Sequence, residues 1–244
     1  MTDNPSAAHS ERVPDSRARI LDAALAAFAA NGLAGARTEG IAAAAGVNKA
    51  LIYYYFESKE RLYQAALELS AERIRDSSMA VFLREASPGE RILRTALNHF
   101  DRVVGQREFQ SLMQHEMIRL HKGESDAMTV IIKRLFKPVL DIYESTVRAG
   151  IESGELIPVD WLQMHFASLG ANVFYFLSAP IWRRVLPTDP LAPEALLRRR
   201  ELLAEYLGQT IFVDRRHGAA LAAKVLSDTP IPEIHSPVVL GGTE

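Results

Sequence analysis

The stretch that comes nearest to catalytic chemistry is His115-Glu116-Met117-Ile118-Arg119. A zinc hydrolase sets two histidines four residues apart on a helix, with a glutamate between them as general base. Here Arg119 occupies the second histidine's place, and a guanidinium, permanently protonated, has no lone pair to offer a metal. His121 lies six residues beyond His115 and therefore on another helix face. Cysteine is absent, which removes thiolate nucleophiles, disulfides and cysteine-ligated zinc together. No glycine-rich phosphate loop and no nucleophile elbow occurs. The chain is expected not to be an enzyme and to need neither metal nor cofactor.

A different chemistry is written at Lys49-Ala50-Leu51-Ile52-Tyr53-Tyr54-Tyr55-Phe56. Neighbours on a helix differ by about 100° around its axis, so three consecutive tyrosines cannot all point inward. Aromatic rings with hydroxyls on an outer face suit contact with thymine methyls and phosphate oxygens in a DNA major groove. Lys49, at the start of that segment, can reach a guanine edge or a phosphate. The plainer reading is that one or two of these rings pack against the next helix, which leaves the outward ones in place.

The elements that would position this segment are helical. Ser16 is placed to cap a first helix running to about Asn31, with Ile20, Leu21, Ala24, Leu25, Ala27 and Phe28 as its inner stripe. Asn31-Gly32 tolerates the positive φ that ends a helix. Thr38 is placed to cap a short helix reaching Ala45, with Glu39 near its positive end. Gly46 supplies the bend, Asn48 a cap for the tyrosine-bearing helix, and Ser58 the start of a long fourth helix. Ile41, Ala45, Val47, Ile52 and Phe56 make a small three-helix core, and the alanines from Ala42 to Ala45 let its helices approach closely. Two short helices joined through a glycine turn form a helix-turn-helix.

These residues resemble a known family. Ala45-Gly46-Val47-Asn48-Lys49, then Leu51-Ile52-Tyr53-Tyr54-Tyr55-Phe56 and Ser58-Lys59-Glu60-Arg61-Leu62, are similar to the DNA-binding head of the tetracycline-repressor (TetR, AcrR-like) family. Ile20-Leu21-Asp22-Ala23-Ala24, Phe28, Gly32, Thr38 and Ile41-Ala42 fall in the same register, so the resemblance covers residues 16–63. It implies that Thr38 caps the second helix and bonds a phosphate. It puts Lys49, Ala50, Leu51, Tyr53 and Tyr54 at groove-facing positions and sets Tyr55 and Lys59 against the DNA backbone. Leu51 stands where the family often has a small polar residue, so it would read by apolar contact. Glu39 stands where some relatives carry a basic base-reading residue.

The rest of the chain reads as amphipathic helices near 88–105, 107–121, 124–152, 158–182 and 193–213, giving an all-α fold with a three-helix head and a larger helical body. The expected division is a tail over 1–15, a head over 16–63, a ligand-binding and dimerisation body over 64–214, and a C-terminal tail over 215–244. The net charge of −2 does not advertise a nucleic-acid partner, but between Ser16 and Arg61 six basic residues stand against four acidic ones. Met1 to Asp15 lacks the apolar core of a signal peptide. The run Phe166 to Trp182 is too short and too interrupted for a membrane span, so no membrane association and a cytoplasmic setting are expected.

A single head binds one half-site weakly, so a homodimer on double-stranded DNA is expected. The segments 158–182 and 193–213 are the candidate interface, with a stripe at Trp161, His165, Leu169, Val173 and Phe176. A small-molecule effector, apolar or aromatic, is assigned to the body, with Phe100, Phe109, Met113, Met117, Tyr143, Val147 and Phe166 as candidate lining and His99, His115 and His165 as polar anchors. The expected function is a ligand-responsive transcriptional regulator, most simply a repressor released when the effector moves the heads out of register with the grooves. The competing reading is a helical ligand-binding or interaction protein that has no specific DNA site.

Overall fold

The computed structural model describes residues 15–105, 107–124 and 127–234, and they form helices throughout, with no strand beyond an isolated bridge between Leu156 and Phe212. Of the expected tails, 1–15 and 215–244, residues 1–14 and 235–244 lie outside the described residues.

Helix α1 (Ser16–Gly35) is capped by Asp15 rather than Ser16, through an Arg17 amide donating to Oδ1 at 3.3 Å. Its buried face is Ile20, Leu21, Ala24 and Phe28. Gly32 takes a φ of 65° and bends the helix without ending it, and one further turn follows. Helix α2 (Thr38–Ala45) has Arg37 at its cap position with no side-chain bond there, so Thr38 does not cap it. Gly46 adopts the left-handed conformation (φ 64°, ψ 39°), and Val47 donates its amide back to the Ala42 carbonyl at 3.0 Å. Helix α3 (Lys49–Phe56) starts where Asn48 Oδ1 accepts from the Ala50 amide at 2.9 Å. Helix α4 (Lys59–Phe82) starts where Ser58 Oγ accepts from the Arg61 amide at 3.1 Å.

The body follows as α5 (Pro88–Gly105), α6 (Arg107–His121), α7 (Ala127–Ile131), α8 (Lys137–Glu152), α9 (Trp161–His165), α10 (Ala171–Val185), α11 (Pro193–Thr210) and α12 (Arg215–Asp228). Two wide π-turns, Ile132–Phe136 and Phe166–Gly170, join α7 to α8 and α9 to α10 without a break. Residues 215–228, expected as tail, instead form α12. Ala222 and Val225 are buried there, and Gly218 meets Gly208 of α11 so closely that a Cβ on Gly218 would stand 2.1 Å from the Gly208 carbonyl oxygen. The small residues that made this segment look weak are what lets the two helices touch.

Two apolar cores organise the molecule. The first joins Ile20, Phe28, Ile41, Ile52, Phe56 and Leu62 to Leu112, Met128, Ile131 and Leu135, so body helices help build the core of the head. The second is centred on Phe82, Leu93, Phe100, Tyr143, Val147, Leu203 and Phe212. Helix α4, 24 residues and thus about 36 Å long, contributes to both.

Candidate nucleic-acid interface

Helix α3 buries Ile52 and Phe56 and leaves all three tyrosines outside. Tyr53 is 42% exposed, Tyr54 78% and Tyr55 36%. The four-residue spacing of Ile52 and Phe56 spends the inner face, and the run between them has nowhere else to go. Tyr54 and Tyr55 stand edge to face with centroids 5.2 Å apart, which holds the two rings as one ridge. Lys49 and Ala50 are exposed, and Leu51 is half-buried, packed in part against the head core.

Lys49 and Lys59, the two lysines beside α3, are already engaged. Lys49 Nζ donates to Glu39 Oε1 at 2.5 Å and lies 5.7 Å from the Tyr53 ring centre. That hydrogen bond lowers the Glu39 pKa and raises that of Lys49. Lys59 Nζ donates to the Ala34 carbonyl at 3.2 Å, which holds the ammonium at the junction of α1 and α4. Thr38 is buried, and its hydroxyl faces Glu39 Oε2 at 3.5 Å instead of pointing outward. A phosphate bond from Thr38 would require that hydroxyl to turn.

The body candidates divide. Phe100, Tyr143 and Val147 are buried together in the second core. Phe109 and Met113 pack against the first core, and Met117 and Phe166 stand 49% and 62% exposed, so these four do not share an interior with the other three. His115 lies on the seam between α6 and α1, where a Cβ on Gly32 would be 3.6 Å from its Nδ1. Its neighbour Glu116 is fully buried, accepting from the Tyr63 hydroxyl at 2.7 Å and from Arg119 Nη1 at 2.8 Å. The residues that imitated a metal site thus clamp α6 to α4, and no cluster of three or more potential ligands is found among the described residues. Sequence reasoning weighed Glu116 only as part of a dismissed metal motif and did not single out Tyr63 or Asn172 for any role, although Asn172 had a signal as a polar interruption in an apolar run.

Residues 20–66 match the model of the bacterial regulatory proteins of the tetR family, and residues 88–207 match that of a tetracyclin repressor-like C-terminal domain. The chain belongs to the TetR family. Its curated relatives include the HTH-type transcriptional repressor NicS of Pseudomonas putida, 28% identical over 163 residues that span 67% of this chain and 76% of that protein. They also include the HTH-type transcriptional regulator RutR of Escherichia coli, 29% identical over 173 residues, spanning 70% and 78%. Among solved structures, a transcriptional regulator from Saccharomonospora viridis in complex with choline superposes with a TM-score of 0.66 at 18% identity, covering 82% of this chain and 98% of that one. The ketosteroid regulator KstR2 of Mycobacterium tuberculosis does so with a TM-score of 0.62 at 22% identity, covering 83% and 98%. TetR proteins are transcriptional regulators with a helix-turn-helix head, not enzymes, and α2–α3 is that motif here.

One more surface of this TetR chain stands out. Phe166, Val173, Phe174, Leu177, Ile181 and Val185 form an exposed apolar stripe from the second π-turn along α10, and Leu202 and Tyr206 of α11 are exposed as well. The exposed stripe is not the one expected from the sequence. Of the expected members, Trp161, Leu169 and Phe176 pack inward on the second core, and Val173 is exposed. No described helix is long and apolar enough to cross a membrane.

Proposed function

We propose that the chain acts as a cytoplasmic homodimer that binds a palindromic stretch of duplex DNA and releases it when a small molecule occupies the body. The carrying observation is the outward face of α3, where Tyr53, Tyr54 and Tyr55 are exposed beside Lys49 on a compact, well-cored head. Tyr54 is the principal groove residue and Tyr55 and Lys59 flank it toward the backbone, in line with the way phosphate contacts set register and base-edge contacts select sequence. The exposed stripe on α10 supports pairing, since contiguous apolar surface of this extent in a soluble protein marks an interface. Two-fold pairing places two α3 helices for successive major grooves.

Effector control follows from α4, which carries residues of both cores. A ligand that repacks the second core would tilt that helix and spread or close the heads, which is a shift between two populations rather than a new contact to DNA. The test is an anisotropy titration with duplex DNA flanking the chain's own gene, comparing wild type with Tyr54→Ala and Lys59→Ala. Tight binding to a symmetric site, weakened by both changes, is expected. Equal, salt-sensitive binding to any duplex would favour a helical ligand-binding protein without a specific DNA site.

A further inference from the structure

Two polar side chains that the head does not use, Asn172 and His99, meet inside the body, and a third, His165, stands against Tyr143 of the same core. Asn172 of α10 is fully buried; its Nδ2 donates to the Ala96 carbonyl and to His99 Nδ1 of α5, each at 3.4 Å. The Ala96 carbonyl can only accept, which fixes the orientation of the amide and turns Oδ1 the other way. There Oδ1 is buried and meets no donor among the described residues. His165, the last residue of α9, has a buried Nδ1 that is likewise without a partner, and its ring stands edge-on to Tyr143 with centroids 5.1 Å apart. Tyr143 reaches Ser168 Oγ at 3.4 Å, within the π-turn that separates His165 from Asn172. Phe100 and Phe176, with rings 5.6 Å apart, supply apolar surface beside them.

Buried polar atoms in native proteins are paired, so an orphan on each side of one π-turn requires a reason. An inserted π-turn is a frequent mark of a functional position, because it places side chains that a regular helix would send elsewhere. Asn172 Oδ1 is purely an acceptor, and its complement is an O–H or N–H group. A carboxylate and a quaternary ammonium offer neither. A protonated amine is disfavoured by the surroundings: burial lowers the His99 pKa to about 3, with Arg102 and His165 adding to it, and burial lowers that of Arg102 to about 10. With His99 Nδ1 accepting from Asn172, the ring's proton sits on Nε2 and can be donated in turn.

We propose that Asn172, His99 and His165 form the polar anchor of the effector site, and that it takes a small uncharged molecule with an apolar body and a hydroxyl or amide N–H. This rests on the body being the ligand-sensing half, and it narrows the apolar or aromatic effector expected from the sequence to one whose polar end is specified.

The test uses the full chain without DNA and reads calorimetry and thermal shift. The probes are phenol and 2-naphthol as uncharged donors, benzoate and 2-naphthoate as anions, and phenyltrimethylammonium as the quaternary cation. At least one uncharged donor is expected to bind about ten-fold or more tightly than its anionic counterpart and than the cation, as a site built to bond a hydroxyl rejects ligands lacking it. Asn172→Leu and Asn172→Ala should both abolish the preference, while far-UV circular dichroism shows both variants folded; each also loses the bond to His99 Nδ1, so Tm is read only to confirm a cooperative transition. Binding of no uncharged donor, equal or better binding of an anion or the cation, or a preference that survives both substitutions would overturn the proposal. A DNA titration on the same preparation separates the two levels. DNA binding without probe binding sinks the anchor alone, and probe binding without DNA binding sinks the regulator reading alone.

Discussion

Glu39 and Lys49 are joined by a 2.5 Å ion pair across the helix-turn-helix, tying the first turn of α2 to the first residue of α3. The pair is solvent-exposed at both ends and so adds little to folding, but it withholds a positive charge from DNA. Glu39→Gln should free Lys49 and tighten binding to any duplex by about two- to five-fold at low salt, with a plot of log affinity against log salt steeper by about one. Anisotropy titrations across a salt series check this; an unchanged slope would mean that Lys49 faces no phosphate.

Tyr54 carries the opposite expectation. Tyr54→Ala removes the most exposed ring of the ridge without touching the core, so Tm should hold while affinity for the specific site falls by about ten-fold or more. Lys59→Ala should weaken all sequences alike and flatten the salt slope by about one. Equal losses on specific and random duplex for Tyr54→Ala would remove it from base reading.

The head was legible in the sequence because short-range rules govern it. Gly46, Asn48 and Ser58 each act within a few residues, and the spacing of Ile41, Ile52 and Phe56 already states which face is inner. The capping role given to Thr38 failed, and the burial of Thr38 and partial burial of Leu51 were not legible, because they depend on how α2 and α3 pack on α1, which no local pattern encodes. The body was legible only as helices. Whether Phe166 or Phe176 faces inward depends on the π-turn at Phe166–Gly170, which inserts extra rotation partway along an apolar run. Likewise α12 went unrecognised because its docking relies on Gly208 and Gly218 in contact, and glycine reads as a weak helix former until its partner is known.

The Tyr63–Glu116 bond should be measurable as stability. Tyr63→Phe deletes a buried donor to a carboxylate that Arg119 also holds, at a cost of about 1.5–3 kcal/mol. Denaturant unfolding monitored by circular dichroism checks it, and a loss below half a kcal/mol would show that the carboxylate repairs its bonding elsewhere.

Pairing through α10 predicts that Leu177→Glu, on the exposed stripe, yields a monomer near 27.1 kDa where the parent sediments at about twice that mass. Binding to a two-half-site duplex should fall much more than binding to a single half-site. A variant that remains dimeric would relocate the interface.

His99 gives a pH signature. Burial, with the charges of Arg102 and His165, lowers its pKa to about 3, so the folded ring stays neutral where the unfolded ring, near 6.5, takes a proton. The unfolded state therefore binds more protons below pH 6.5. This contribution to stability is complete above that pH and declines on acidification, by at most about 1.4 kcal/mol per pH unit. His99→Phe should flatten the fall between pH 6.5 and 4 in thermal melts; an identical slope would place His99 in contact with water.

The way α4 is shared out between the cores has a mechanical consequence. From Leu62 to Ile74 it is bonded into the same apolar mass as α1, α6 and α7, and at Phe82 it is seated in the other. Between these lie Ser77 and Ser78, whose hydroxyls meet Asn98 and Arg102 of α5, contacts that can slide without opening an apolar gap. A pivot there, well inside the body, would let the reading head with its attached helices turn as a single long arm. Over a lever of that length a rotation of a few degrees grows into ångströms at Tyr54, enough to carry a ridge of aromatic rings out of a groove.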